Sequence, residues 1–198
     1  NKTSDKKSTA FIGGGEAEYA TRGINLSALG VPVDGTKLLL CGLISNKYTT
    51  PELRYKGGAY DGSMTLAAST GNLAFTYYRG SDALSADSVI LAAGDFLSGL
   101  KTTQNELDSY KLPIIAAYVA SSGELKDGMA EMRGHFTGMT REGRLQIIEQ
   151  IRQATVDDVK QQQSFLKDVL ENSGFAALIT PEHEKAAESR FDQVIQLP

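Results

Sequence analysis

Two polar side chains and a pair of glycines in one short segment could act together on a bound chain. In residues 53–62, Arg54 and Tyr60 lie on either side of Gly57-Gly58. Six residues along an unbroken helix would leave the two side chains on different sides, but a glycine pair ends a helix readily. Arg54 would then lie in the last helical turn and Tyr60 at the start of the next strand. Their guanidinium and phenol would share one surface, where glycines permit a peptide backbone to approach closely.

A purely structural interpretation of the same residues is also open. Gly57-Gly58 would be a helix-to-strand turn of a common kind. Arg54 would be a solvated cation and Tyr60 a half-buried strand residue. The spacing alone does not choose between the two interpretations.

The elements around this segment predict an α+β fold, with helices packed on one face of a mainly antiparallel sheet. A strand is predicted from Glu16 to Leu26, a helix from the cap residue Asp34, and a second short helix starting at Thr50-Pro51. Further elements are a hairpin (59–68 and 73–79), helices (from about 85, 125–132, 141–153 and 156–172) and a final strand, helix and strand (175–180, 181–190 and 193–197). Thr155 and Asp158 resemble a capping box.

One domain is expected from residue 16 to residue 198, after a polar linker or lead-in over residues 1–15. Gly13, Gly14 and Gly15 favour a flexible lead-in. A dinucleotide-binding loop is excluded because Glu18 stands where that fingerprint needs glycine.

Composition excludes several classes of protein. The 198 residues carry a net charge of −4 with scattered Lys and Arg, so no nucleic-acid partner is expected. No apolar run approaches the roughly 18 residues of a membrane span, so no membrane partner is expected. Cys41 is the single cysteine, which rules out an internal disulfide and fits a reducing compartment.

A metal site within this chain is not expected. Of the two histidines, His135 has no second histidine nearby, and His183 lies on a predicted surface helix. Neither can build a His-x-x-Glu-His zinc motif. No Gly-x-Ser-x-Gly nucleophile motif occurs either.

The glycine segment resembles a motif of the pitrilysin/insulinase family of zinc metallopeptidases, in its presequence-protease branch. Arg54 to Tyr60 matches Arg-x-Lys-Gly-Gly-Ala-Tyr of the carboxy-terminal half, and residues 76–79 resemble a second family strand. The resemblance covers roughly residues 16–198. The sequence departs from the pattern in two places: Asp61 stands where glycine is usual, and Arg79-Gly80-Ser81 replaces Arg-Asp-Pro.

The resemblance implies a zinc-free half-domain that is inactive alone. Zinc would be bound by the amino-terminal half of the same protein, and unstructured peptides would be the substrates in a closed chamber. Arg54 and Tyr60 would be catalytic and substrate-binding, together with Gly57 and Gly58, and Tyr60 would stabilise an oxyanion. The alternative is a non-catalytic scaffolding homologue of the same fold. The expected compartment is the bacterial cytoplasm, with an organellar matrix as the second choice.

Overall fold

The computed structural model describes residues 8–120 and 123–198, without the side chain of Lys126. The strands are β1 (Ser8–Ile12), β2 (Glu18–Asn25), β3 (Asp61–Leu66), β4 (Asn72–Gly80), β5 (Gly174–Ile179) and β6 (Gln193–Gln196). The α-helices are α1 (Gly35–Ile44), α2 (Ala83–Leu91), α3 (Ala93–Ser98), α4 (Gln104–Val119), α5 (Glu124–Thr137), α6 (Arg141–Gln153), α7 (Val156–Lys160), α8 (Gln163–Asn172) and α9 (Glu184–Glu188). A π-helix (Ser45–Lys56) continues α1, and two 3₁₀ turns (Ser27–Leu29 and Pro181–His183) complete the elements.

The strands form one sheet in the order β3-β4-β2-β5-β1-β6. The pairs β3–β4, β4–β2 and β2–β5 are antiparallel. Strand β1 is parallel to both β5 and β6, so the sheet is mixed. The predicted α+β fold with a mainly antiparallel sheet is therefore confirmed, with a parallel portion around β1 that the prediction did not contain.

The prediction of a lead-in over residues 1–15 is wrong for Ser8–Ile12. This segment is β1, with Ala10 and Ile12 buried between two neighbouring strands. Its partners are about 165 to 185 residues away in sequence, at Phe175 and Gln193. Such long-range pairing leaves little local signal in a five-residue segment. Residues 1–7 lie outside the described part of the chain.

One face of the sheet packs against α1, α2 and α8. Strand alternation places apolar side chains there, including Leu73, Phe75, Phe175 and Ile179, all at most 5% exposed. We call this the helix-packed face. Among the described residues, no helix is long and apolar enough to cross a bilayer.

Caps fix the helix starts that the sequence predicted. The Asp34 side chain accepts a hydrogen bond from the Lys37 backbone N–H at the start of α1. At the start of α7, Thr155 and Asp158 form a complete capping box, as predicted. The predicted long helix over 156–172 is divided into α7 and α8.

The prediction of a separate helix starting at Thr50-Pro51 is wrong. The chain instead continues from α1 as a π-helix that contains Pro51. A proline ring collides with the preceding turn of an α-helix and lacks the N–H for its ladder. The wider π turn accommodates such a residue, and π-helical segments are rare and often found at functional sites.

Candidate functional site

The turn after the π-helix depends on both glycines. Gly58 has φ +71°, a left-handed conformation that L side chains rarely adopt. A Cβ on Gly57 would lie 2.7 Å from the carbonyl oxygen of Leu53. The helix therefore ends at Lys56, and the chain reverses into β3 as the sequence predicted. Both glycines are exposed, so the backbone of the turn is accessible.

Arg54 and Tyr60 lie together on the surface. The Arg54 guanidinium carbon is 5.9 Å from the centre of the Tyr60 ring, and also 5.9 Å from the centre of the Tyr55 ring. These distances permit cation–π attraction. The Tyr60 side chain is 67% exposed, so its phenol is open to solvent.

Tyr60 begins a line of aromatic side chains on the face opposite the helices, which we call the open face. The ring centres of Tyr60 and Tyr78 are 6.1 Å apart, and those of Tyr78 and Tyr19 are 5.2 Å apart, both edge-to-face. This geometry is favourable for aromatic pairs. We call Tyr60, Tyr78 and Tyr19 the tyrosine row.

The backbone beside the tyrosine row is strained. Arg79 has φ +53°, the one positive φ of a non-glycine residue within the described ranges. Its carbonyl and that of Tyr78 both accept hydrogen bonds from the Tyr60 N–H, at 3.1 and 3.0 Å. The register between β2 and β4 shifts here, between Glu18 and Ala20. Strain of this kind often accompanies functional sites.

The outer edge of β3 is closed by hydroxyl groups. Ser45 Oγ donates to the Met64 carbonyl at 3.0 Å and accepts from the Met64 N–H at 2.9 Å. The hydroxyls of Thr49 and Thr50 donate to the Gly62 carbonyl at 3.0 and 3.1 Å. The outward-facing groups of this edge strand are thus largely satisfied within the chain.

Potential metal ligands come together at one place among the described residues. One group of three potential ligands exists among them: Glu18, Asp82 and His183. The buried Glu18 carboxyl already accepts hydrogen bonds from the Ala83 N–H, from Thr180 and from His183 Nδ1. Asp82 caps α2 through Ser85. These atoms are engaged in structural bonds and do not fit a metal with an open coordination position.

The single cysteine and the second histidine lie outside this group. Burial raises the pKa of the Cys41 thiol to about 12, so it stays protonated. The His135 ring lies against Phe136 on the exposed helix α5.

The structure thus brings Arg54, Tyr60, Gly57 and Gly58 to one surface. The rest of the tyrosine row, which extends this surface across the sheet, was not predicted from the sequence. One signal was present for Tyr78: it alternates with the buried Phe75 and Tyr77, which predicts the opposite face.

No family model matches the sequence, but relatives of known name do. The chain is 30% identical over 165 residues to the mitochondrial presequence protease of Schizosaccharomyces pombe, covering 80% of this chain and 16% of that protein. It is 26% identical over 175 residues to presequence protease 1, chloroplastic/mitochondrial, of Arabidopsis thaliana, covering 83% and 15%. The chain therefore spans about a sixth of the length of these relatives.

The fold agrees with the sequence relatives. A protein from Bordetella pertussis Tohama I, assigned as a zinc protease, superposes with a TM-score of 0.67 at 19% identity, over 82% of this chain and 94% of that one. At such low identity the superposition establishes the fold alone. With the presequence-protease relatives and the shared fold together, the chain belongs to the pitrilysin family of metallopeptidases and forms one of its half-domains.

Proposed function

We propose that the chain is the zinc-free, carboxy-terminal half-domain of a zinc metalloendopeptidase that degrades unstructured peptides in a closed chamber. The observation that carries this proposal is the exposed Arg54–Tyr60 pair, 5.9 Å from guanidinium carbon to ring centre. The amino-terminal half of the same protein would bind the zinc, because the described residues of this chain do not form a suitable centre. The half formed by this chain would supply the Arg54 and Tyr60 side chains that contact the substrate.

The two side chains suit different parts of the reaction. The Tyr60 hydroxyl could donate a hydrogen bond to the oxygen that becomes negative when the peptide carbonyl is attacked. The Arg54 guanidinium could hold substrate carbonyls with charge-assisted hydrogen bonds and orient the phenol. The Tyr60 N–H donates to the carbonyls of Tyr78 and Arg79, which holds the backbone of Tyr60, and thus the base of its side chain, in place. Gly57 and Gly58 would let the substrate backbone approach.

The edges of the sheet bear on how a peptide would bind. Added strands use unpaired main-chain groups at an exposed edge, but the hydroxyls of the π-helix occupy that edge of β3. Strand β6 is at the other end of the sheet, where we propose strand addition or pairing with the amino-terminal half. The compartment stays a prediction: a bacterial cytoplasm, or an organellar matrix, since the named relatives are mitochondrial or chloroplastic.

Replacing Tyr60 by Phe in the full-length protein tests the proposal. The ring and its packing are kept while the donor is lost, so kcat should fall by about 100-fold to 1,000-fold. Bound zinc, measured by atomic absorption, should not change. Peptide cleavage is followed with a quenched fluorescent peptide.

Tyr55→Phe is the matched control for this experiment. Tyr55 is 73% exposed, and its ring is also 5.9 Å from the Arg54 guanidinium carbon. It lies on the π-helix and is not part of the tyrosine row, and its replacement should leave kcat within about twofold. Equal rates for Tyr60→Phe and the unmodified enzyme would remove the catalytic role. A full-length protein with no peptidase activity would favour the scaffolding alternative.

A further inference from the structure

We infer that the open face beside the tyrosine row is a subsite for one apolar, preferably aromatic, side chain of the bound peptide. The inference rests on the proposed function, because it assumes that the bound ligand is an extended peptide. It adds a determinant of substrate choice that lies on the zinc-free half.

The register of the sheet creates a step on this face. Large side chains lie beside one another on adjacent strands: Tyr78 on β4, Tyr19 on β2, Leu178 on β5 and Phe11 on β1. The next row on the same face contains small residues. These are Thr76, Thr21, Ala176 and Thr9, which are neighbours in the same four strands. A depression of about 270 Å³ lies where the large row meets the small row.

The two hydroxyl groups on the floor of the depression already have hydrogen-bond partners within the sheet. The Thr21 hydroxyl donates to the Phe75 carbonyl at 3.2 Å. The Thr76 hydroxyl is 3.0 Å from the Ser63 hydroxyl. Both threonines therefore have their hydrogen bonds within the sheet and present carbon to the depression. A polar side chain that enters the depression would give up hydrogen bonds to water and find these hydroxyls already engaged. An apolar side chain has no such bonds to give up.

The rim favours an aromatic guest. The edge-to-face Tyr19–Tyr78 pair exposes ring surface, and Tyr78 is 48% exposed. A guest ring could add to this arrangement at a similar spacing. The volume lies just below the range of about 300–1,000 Å³ that is typical of pockets for drug-sized ligands. It is therefore suited to one side chain, and not to a cofactor.

The depression is also continuous with the proposed catalytic pair. Tyr78 forms its rim and contacts Tyr60, which contacts Arg54. A peptide held by Arg54 and Tyr60 could therefore place a nearby side chain in the depression. This continuity identifies the occupant as a residue of the substrate.

Photo-crosslinking in the full-length protein tests the subsite without relying on turnover. The probe is an unstructured 12-residue peptide carrying one p-benzoyl-phenylalanine, moved through its positions in a series. We expect crosslinks at Tyr78, Leu178 or Phe11 for a restricted set of positions. Ala176→Leu fills the depression and should lower the crosslink yield about tenfold, the scale on which hydrophobic pockets discriminate.

The matched control is Ala74→Leu. Ala74 is on β4 on the same face and is also partly exposed, but it does not line the depression. Its replacement should leave the yield unchanged. If Ala176→Leu loses its cooperative thermal unfolding, Leu178→Ala replaces it and should lower the yield several-fold by removing a wall.

Crosslinks elsewhere, or a yield that Ala176→Leu leaves unchanged, would overturn the subsite. The subsite is overturned as well if no peptide crosslinks here because another part of the polypeptide covers the face. These outcomes are separate from the tests of the proposed function. Unchanged turnover in Tyr60→Phe removes the catalytic role of Tyr60, and a full-length protein without peptidase activity overturns the proposed function, while crosslinks in the depression would still establish a peptide subsite.

Discussion

The side chains of β4 point alternately to the two faces of the sheet, and the two faces differ in burial. On the helix-packed face, Phe75 is 1% exposed, whereas on the open face Tyr78 keeps about half of its side chain in solvent. Charge follows the same division. Arg22 on the helix-packed face is held by Asp87, Nε to Oδ1 at 2.8 Å, whereas Arg54 beside the open face lies against exposed rings.

The comparison separates residues that stabilise the half-domain from exposed residues that are accessible to a bound molecule. A buried guanidinium needs a carboxylate and further acceptors, since an uncompensated charge is costly in the interior. Arg22 has them, with the Leu170 carbonyl and Ser173 completing its contacts. A guanidinium that is to bind something else must keep its donors free, as an exposed residue can.

The sharpest test of this division is a pair of neighbouring alanine substitutions. Phe75→Ala should lower the free energy of unfolding by about 3–5 kcal/mol, the usual cost of emptying a buried aromatic site. Thr76→Ala, one residue along on the open face, should cost less than about 1 kcal/mol. Urea unfolding measures both. Similar costs would show that the open face is packed against something in the folded protein.

A second, smaller effect concerns strain on the open face. Arg79→Gly should raise the free energy of unfolding by about 1 kcal/mol, because glycine adopts positive φ without the steric penalty. Arg79→Ala keeps that penalty and serves as the control, with little expected change. A destabilised glycine variant would mean that the Arg79 side chain makes a contact worth more than the strain.

The smallest effect concerns His183 and its partner Glu18, the first residue of β2. A hydrogen bond to the buried Glu18 raises the pKa of His183 above its ordinary value of 6.5. Protonated His183 therefore stabilises the fold fully below pH 6.5, and this contribution is lost as the pH rises through the raised folded-state pKa. The side chain is 37% exposed, so solvent screening keeps the effect under about 1 kcal/mol.

Thermal unfolding between pH 6 and pH 8.5 measures this dependence. His183→Gln removes the titrating group and should flatten the profile. A variant whose unfolding follows the same pH dependence as the unmodified protein would assign the effect to another group.

Local signals predicted much of the fold. Cap residues marked α1 and α7, and the Gly57-Gly58 break separated Arg54 at the end of the π-helix from Tyr60 just before β3. The hairpin of β3 and β4 was predicted from its turn composition. These features depend on residues close in sequence, where propensity and side-chain capping decide the conformation.

What could not be predicted depends on distant residues. Strand β1 exists because β5 and β6 flank it, and Pro51 lies inside a π-helix that continues α1 instead of starting a helix of its own. The tyrosine row needs the β2–β4 register, including a shift beside Tyr19. A register change of one residue would have turned these side chains to the other face.

The hydroxyls of Ser45, Thr49 and Thr50 also bear on how the chain meets other protein molecules. An unprotected border strand tends to recruit strands of neighbouring molecules and start aggregation. Here three small alcohols occupy the places where a foreign backbone would dock. The β3 edge is thus protected against pairing with a strand of another molecule.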